Sequence, residues 1–397
     1  MAYGTNPFWA QFHHGLELIL LTRRLQWPIV ALSLSLCLGL LALVIGGRRR
    51  TWWLLGLAPV LALFAHRFAT DPFAAFSILD PPQFVAADQA SFLADSDCVV
   101  GISFNGEHYA YPFSVLYAYP VVVQSDREQR LLLLWSAYAN RMLATTIDHS
   151  LKSRELEIVS MPANVLLVYN SRLGEFINGV TGRTMDGALP VGFETRIATC
   201  KTTWQAWRRL HPATQVLAPP AGAPSNLPAS PVMPFYPMPP GTVAPATRVA
   251  LIAATQPSAT SAPPVAVYDA ALGASPVNLD DGPLPLLLLR DPATGSLRGF
   301  VRQVKQDLVP TFRPHRFPKF PSATLTDSDS NSAWTSDGVA VDGPLKGERL
   351  SSADLDDQVY LDVIGPWYPG LVVLQPPPPA NDLNATAPQP RSGRATR

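Results

Sequence analysis

Two kinds of apolar pattern divide the chain. From Leu25 to Ile45 no charge interrupts an apolar run that, at 1.5 Å rise per residue, reaches roughly 30 Å, the thickness of a bilayer's hydrocarbon. A second apolar stretch, Trp52 to Phe68, ends in His66 and Arg67, where long side chains can reach an interface. Together they predict a two-helix transmembrane hairpin over 25–70, with Trp27, Trp52 and Trp53 as interfacial anchors. Arg48, Arg49 and Arg50 stand where a signal peptide would carry small cleavage-site residues, so the first run reads as retained. Residues 1–24 form a tail in which Phe8, Trp9, Phe12, Leu16, Leu18 and Leu20 can make a short interfacial helix. The compact arginine triple favours a cytoplasmic loop, which places the large domain on the extracytoplasmic side of the membrane.

After Asp71 the pattern becomes short runs of β-branched and aromatic residues punctuated by Gly, Pro and Asn, which is strand and turn chemistry. Cys98 to Phe104, Asn105-Gly106 and His108 to Phe113 predict a hairpin; Leu131 to Trp135, Leu156 to Ser160 and Val165 to Tyr169 predict further strands. One helix is expected over Thr202 to Leu210, with a Thr start and Pro212 just beyond it. Residues 219–247 are too rich in Pro and Ala for helix or central strand and form a connector, in which Phe235, Tyr236 and Met238 offer apolar area to an ordered belt. From 376 to 397 too few apolar residues remain for a core, and a disordered tail is expected.

The two sides of the connector resemble each other. Gly182, Asp186-Gly187 and Leu189 recur as Gly338, Asp342-Gly343 and Leu345, and Trp204 meets Tyr360, all at an offset of 156. Leu131 to Leu134 matches Leu286 to Leu289 at 155, Val99 to Ile102 matches Val249 to Ile252 at 150, and Pro212 matches Pro369 at 157. So small a drift with the order kept is the mark of a duplication. The expected fold class is therefore mainly β (α+β): a first half over 71–218 and a second over 248–375, packed as one pseudo-two-fold body.

Charge and cysteine content narrow the partners. Lys plus Arg equals Asp plus Glu at 30 each, so no field draws in a polyanion and nucleic acid is not an expected partner. Three cysteines do not make a disulfide framework or a four-cysteine metal site. Cys98 and Cys200 leave two readings open, one bridge in an oxidising compartment or two unpaired core thiols.

The same residues carry a family resemblance. Asp80-Pro81-Pro82-Gln83-Phe84, Val100-Gly101-Ile102, Asn105-Gly106-Glu107, Ala110-Tyr111-Pro112 and Tyr169-Asn170-Ser171 are followed by Gly182, Asp186-Gly187, Thr202-Thr203-Trp204 and His211-Pro212, then by Arg290 to Gly295. In order and spacing, over residues 80–375, the chain resembles the family catalogued as domain of unknown function 3179, found mostly in prokaryotic proteins. The resemblance implies a Cys-Pro-Leu-Cys motif after the strand at Leu131 to Trp135, a thiol pair able to cycle or to hold a soft metal. Here those positions are Ser136-Ala137-Tyr138-Ala139, so that chemistry does not carry over.

Other chemistry is sparse. Ser136 lacks the Gly-x-Ser-x-Gly setting of a nucleophile, and the histidines show no metal-ligand spacing apart from adjacent His13-His14. The repeated Asp-Gly reads as a turn, and the basic stretch Arg302 to Lys319 as a solvated loop. No catalytic residue, metal ligand or cofactor is expected. The reading that results is a membrane-anchored extracytoplasmic protein, in bacteria at the inner membrane, whose partners are the lipid bilayer and an unidentified protein or small molecule. It is a non-enzymatic binding or structural domain. The alternative is a residual enzyme or metal-binding protein working in the cleft between halves, which requires Tyr111, Ser136, Tyr138, Arg141 or His149 to converge.

Overall fold

The computed structural model describes residues 15–46 and 76–374 apart from short internal stretches, the longest being 232–246 and 254–262, with isolated positions at 56, 58 and 62. Phe235, Tyr236 and Met238 and the expected disordered tail lie outside the described residues. Within the connector, Ala229 and Ser230 do reach the domain: their carbonyls accept from Cys98 N–H at 2.8 Å and from the Tyr117 hydroxyl at 3.2 Å.

Helix α1 covers Gly15–Arg24 and α2 covers Gln26–Gly46. Leu25 N–H donates to the Leu21 carbonyl and Ile29 N–H to the Leu25 carbonyl, both at 2.9 Å, so the ladder continues between them. Pro28 explains the break, because it has no N–H for the Arg24 carbonyl and its ring crowds that turn. Leu32, Leu34, Leu36 and Leu38 of α2 are all exposed. The expected transmembrane hairpin is corrected here. No helix among the described residues is long and apolar enough to cross a membrane. The returning arm expected over 52–68 lies outside the described residues but for isolated positions, and no transmembrane hairpin is found. What α1 does show is a contact with the domain, Leu20 packing against Val159, Leu167 and Phe176.

The β-rich expectation holds, and the strands fall into layers. The first half contains β1 (Ile78–Leu79), β2 (Phe84–Ala86), β3 (Cys98–Phe104), β4 (Glu107–Pro112), the short helix α3 (Phe113–Leu116), β5 (Val121–Asp126), β6 (Gln129–Ser136) and β7 (Arg141–Ile147). It continues with β8 (Leu156–Ser160), β9 (Leu167–Asn170), β10 (Glu175–Asn178), β11 (Phe193–Arg196), β12 (Thr199–Thr203), helix α4 (Trp204–Leu210) and β13 (Gln215–Leu217). Asn105 and Gly106 join β3 to β4 with φ of 51° and 82°, the two positive angles that a type I′ hairpin turn requires. Thr203 caps α4 by accepting Ala206 N–H, so the helix begins two residues later than expected and Thr202 belongs to β12.

Three sheets stack in this half, ordered β12-β3-β4-β13-β2, β1-β5-β6-β7-β11 and β10-β9-β8. The middle sheet is covered on both faces. Leu131, Leu133 and Trp135 of β6 meet Val100, Ile102 and Tyr111 on one side, while Leu132 and Leu134 meet Leu156, Ile158 and Val168 on the other. That is why Leu131 to Trp135 reads as an unbroken apolar run instead of alternating. On the outer face of the first sheet, Trp204 and Trp207 of α4 cover Val99, Ala110 and Val216.

The second half repeats the plan. It contains β14 (Arg248–Ala253), β15 (Val265–Tyr268), β16 (Val277–Leu279), β17 (Leu286–Arg290), β18 (Leu297–Val301), β19 (Phe312–Pro314), β20 (Ala323–Asp327), β21 (Ala333–Thr335) and β22 (Ala340–Asp342). Then come β23 (Ser351–Ser352), β24 (Asp354–Tyr360), helix α5 (Leu361–Ile364) and β25 (Val372–Leu374). Its sheets are ordered β24-β14-β15-β25, β16-β17-β18-β23 and β19-β20-β21-β22. β12-β3-β4-β13 and β24-β14-β15-β25 correspond strand for strand, down to the parallel pairing of the last strand in each. Leu286 and Leu288 face one core, Leu287 and Leu289 the next, as in β6.

Trp207 rests flat against β3 because residue 101 has no side chain. A Cβ there would stand 2.3 Å from the indole, closer than any packed pair tolerates. Gly101→Val is expected to destabilise the protein by about 1–3 kcal/mol, the usual cost of overpacking, as a lowered urea midpoint at unchanged m-value. An unchanged midpoint would show that the ring does not depend on the bare backbone.

Candidate functional site

The halves meet through corresponding parts. The turn between β6 and β7 lies on the end of β24: the Ala139 carbonyl accepts Tyr360 N–H at 3.1 Å, and the Asn140 amide donates to the Gln358 carbonyl at 2.9 Å. Reciprocally, the turn between β17 and β18 lies on β12, the Thr202 hydroxyl donating to the Thr294 carbonyl at 2.7 Å.

One side of this junction is sealed by charge. The Asp356 carboxylate receives the Arg141 guanidinium at 2.8 Å, Met142 N–H at 2.8 Å and the Lys201 ammonium at 2.7 Å. Lys201 also donates to the carbonyls of Asn140 and Asp357. Burial pushes the Arg141 pKa down, but Tyr368, Asp356 and Asp354 more than offset it and hold the guanidinium charged. Asp357 goes the other way. Burial pushes its carboxyl up to about 6, against the pull of Lys201, and its Oδ2 has no hydrogen-bond partner among the described residues.

The other side is open. A cleft of about 560 Å³ runs between the halves, a size that suits a small molecule. The first half contributes Ser103, Cys200, Trp207, Leu210 and His211; the second contributes Ser296, Arg298, Phe300, Ser352 and Leu355. Arg298 is held at 2.8 Å from Asp291 and is bonded to Asp337 as well. His211 stacks on Trp207 and on His108 at ring-centroid distances of 4.2 and 3.8 Å. Burial and then His108 lower its pKa, so near neutral pH it presents an uncharged ring.

Cys200 is the cleft's one thiol, and burial pushes it up to about 11 although Ser296 stands close enough to pull it down. At pH 7 only on the order of one molecule in ten thousand would hold the thiolate, the reactive form. No hydrogen bond joins Cys200 to His211, and no group of three potential metal ligands occurs, among the described residues. Both Cys98 and Cys200 are free. In the register of β12 on β3, Cys98 faces Thr203 and Cys200 faces Gly101, which settles the open choice in favour of unpaired thiols.

The residues singled out from sequence do not gather. Tyr111 is buried between sheets with its hydroxyl on Gln124. Ser136 is fully buried, accepting Leu166 N–H at 3.0 Å and donating to the Asn164 carbonyl. Tyr138 packs on the core between the middle sheet and β8–β10, Arg141 belongs to the ionic cluster, and His149 is exposed in a separate hollow. The positions where the family resemblance implies two thiols are thus a filled core. Of the cleft residues, Ser296 and Arg298 carry no sign in the sequence, while Cys200, His211 and the helix that bears Trp207 are legible there only as a thiol, a family motif and a helix. Arg302 also departs from the expected solvated run: it is 1% exposed and donates to the Pro310 and Leu279 carbonyls. Arg313, Arg316 and Lys319 are exposed.

Fold and site together define a class: a β-rich protein of two corresponding halves with a ligand-sized cleft between them. Over residues 76–361 the chain matches the family described as a protein of unknown function, DUF3179, and it belongs to that family. No curated protein and no solved structure matches it.

The two neighbouring aspartates should respond oppositely to substitution. Asp356→Ala strands two buried cations and is expected to cost about 3–5 kcal/mol. Asp357 has a folded-state pKa near 6 against an ordinary 3.8, so its favourable contribution is complete below about pH 4 and is lost as pH rises through 6, a loss on the order of 3 kcal/mol. Asp357→Asn should therefore flatten the pH profile of urea stability between 4 and 7 and stabilise the protein at pH 7. A profile as steep as wild type would refute that assignment.

Proposed function

We propose that this chain is a non-enzymatic binding domain whose ligand site is the cleft between its halves. The observation that carries the reading is the cleft's composition. Trp207, Leu210, Phe300 and Leu355 supply apolar and aromatic wall, while Ser103, Ser296, Ser352 and Arg349 supply hydrogen bonds, the usual makeup of a small-molecule pocket. Its only thiol is held neutral, and the sealed side of the junction has no space for a reactant. The ligand class that suits such walls is a small molecule with an apolar, flat body and an acceptor or acidic group that meets Arg349, which also lines the cleft, and the hydroxyls, Arg298 being occupied by Asp291 and Asp337.

An attachment to membrane lipid completes the reading. The exposed Leu32, Leu34, Leu36 and Leu38 of α2 offer apolar surface that favours a partner, and lipid is the partner that needs no further protein. The extracytoplasmic face of a bacterial inner membrane is the proposed location.

Protein-observed methyl NMR on the full chain in neutral detergent, with aryl carboxylates and benzoate first, tests the site. Saturable shifts at Leu210 and Leu355 that disappear in Ser296→Trp, which fills the cleft, are the expected result. Turnover of a bound compound, or saturable shifts confined to other parts of the domain, would sink the binding role. For the location, wild-type protein should be recovered with membranes on fractionation, and a C-terminal fusion to a reporter active only outside the cytoplasm should be active. An active cytoplasm-only reporter would reverse the sidedness.

A further inference from the structure

A second hollow lies on the first half, away from the cleft, where the chain enters the domain. It measures about 560 Å³ and is walled by Asp80, Ser125, Arg130, His149, Lys152 and Arg154, with Ser153 at its base. Three permanent cations thus face one carboxylate, and that carboxylate is taken: the Ser153 hydroxyl donates to Asp80, with Arg130 at 3.8 Å. Arg130 is fixed in place, since its guanidinium also donates to the Leu151 carbonyl. Of the acids adjoining the lining residues in the chain, Asp148 accepts Ser150 N–H at 2.8 Å and Glu155 stands 3.9 Å from the Arg172 guanidinium. Lys152 and Arg154 are exposed, so the hollow presents an excess of positive charge to whatever stands in front of it.

Its surroundings add direction. A shallower hollow of about 400 Å³ shares Asp80, Ser153 and Arg154 and is otherwise lined by Phe76, Ile78 and Leu156, so basic and apolar surface adjoin. Both hollows sit at the start of β8, and the end of β8 carries Val159, which together with Leu167 and Phe176 receives Leu20 of α1. At 3.3 Å per residue the length of β8 puts the basic wall and the docked N-terminal helix within about 15 Å of each other along one strand.

We propose that the Arg130–His149–Lys152–Arg154 hollow binds a phosphate-type oxyanion, and that its source is an anionic lipid headgroup brought there by the N-terminal helices. This goes beyond the cleft reading and does not depend on it. A basic wall beside apolar side chains is the surface that headgroups recognise, each well-placed basic residue strengthening adsorption to anionic membrane by about fivefold.

The test compares the full chain on vesicles of phosphatidylcholine alone and of phosphatidylcholine with three-tenths phosphatidylglycerol. The ratio of the two affinities cancels the contribution of the N-terminal helices. Wild type should favour the anionic vesicles by at least about tenfold, and the double variant Lys152→Glu with Arg154→Glu should lose that preference. Lys346→Glu, a charge reversal at an exposed residue in the second half, should keep it. Calorimetric titration with inorganic phosphate is the second arm. Saturable phosphate binding abolished by the double variant, without any vesicle preference, would keep the oxyanion site and overturn the lipid source. No preference and no phosphate binding, or a preference lost equally in Lys346→Glu, would overturn the site itself. All three proteins are compared by circular dichroism, and His149→Ala, weakening phosphate binding severalfold, serves in place of the double variant should that one unfold.

Discussion

The carboxylate of Asp356 is the point on which the joining of the two halves turns. Its three donors, Arg141, Met142 N–H and Lys201, all belong to the first half, while Asp356 itself sits in β24 of the second. A buried ion cluster adds little net stability over an apolar filling of the same volume, because both charges leave water. What it adds is register. An Arg–Asp–Lys cluster has few satisfactory arrangements, whereas apolar surfaces slide, so the cluster fixes where the hairpin turn of one half lies on the strand of the other. The cleft's width follows from that placement, since its two walls belong to different halves.

Much of the layer plan was readable because the physical cause acts locally. Leu131 to Trp135 and Leu286 to Leu289 are continuous apolar runs, and only a strand covered on both faces can use them. Asn105-Gly106 names its own turn, and Thr203 its own cap. The offsets between halves were legible for the same reason: Gly182 and Gly338 both have left-handed backbone, at φ of 66° and 72°, and Gly187 and Gly343 likewise, so these positions admit little else. The N-terminal segment shows the reverse. Apolarity alone predicted two membrane-crossing arms, yet among the described residues there is a helix interrupted by Pro28 and a contact from Leu20 to the domain.

The ionic cluster and the cleft were not legible, because each is made of residues far apart in the chain whose types are ordinary. Arg141 is one candidate among several in the sequence, and its partner Asp356 gives no local sign. Cys200 was weighed for a disulfide, a question that concerns pairing with another sulfur, when its importance lies in what it leaves room for. The candidates Tyr111 and Ser136 are both accounted for as buried groups with hydrogen-bond partners. A polar residue in a core strand is more often satisfied there than active.

The correspondence between halves explains why one junction is sealed and the other open. At the offset of 156, Cys200 occupies the position of Asp356; at 155, Ser296 occupies that of Arg141. The placement recurs with them, Cys200 and Ser296 facing the same cleft where Asp356 bonds Arg141 on the other side. On the first side a long guanidinium and a carboxylate meet and fill the space between turn and strand. On the second, two short side chains meet across the same frame, and the volume the guanidinium would occupy is left to the cleft. A duplicated β body would, with like residues at both junctions, be sealed twice or open twice. Divergence at these paired positions gives it one junction that holds and one that can receive.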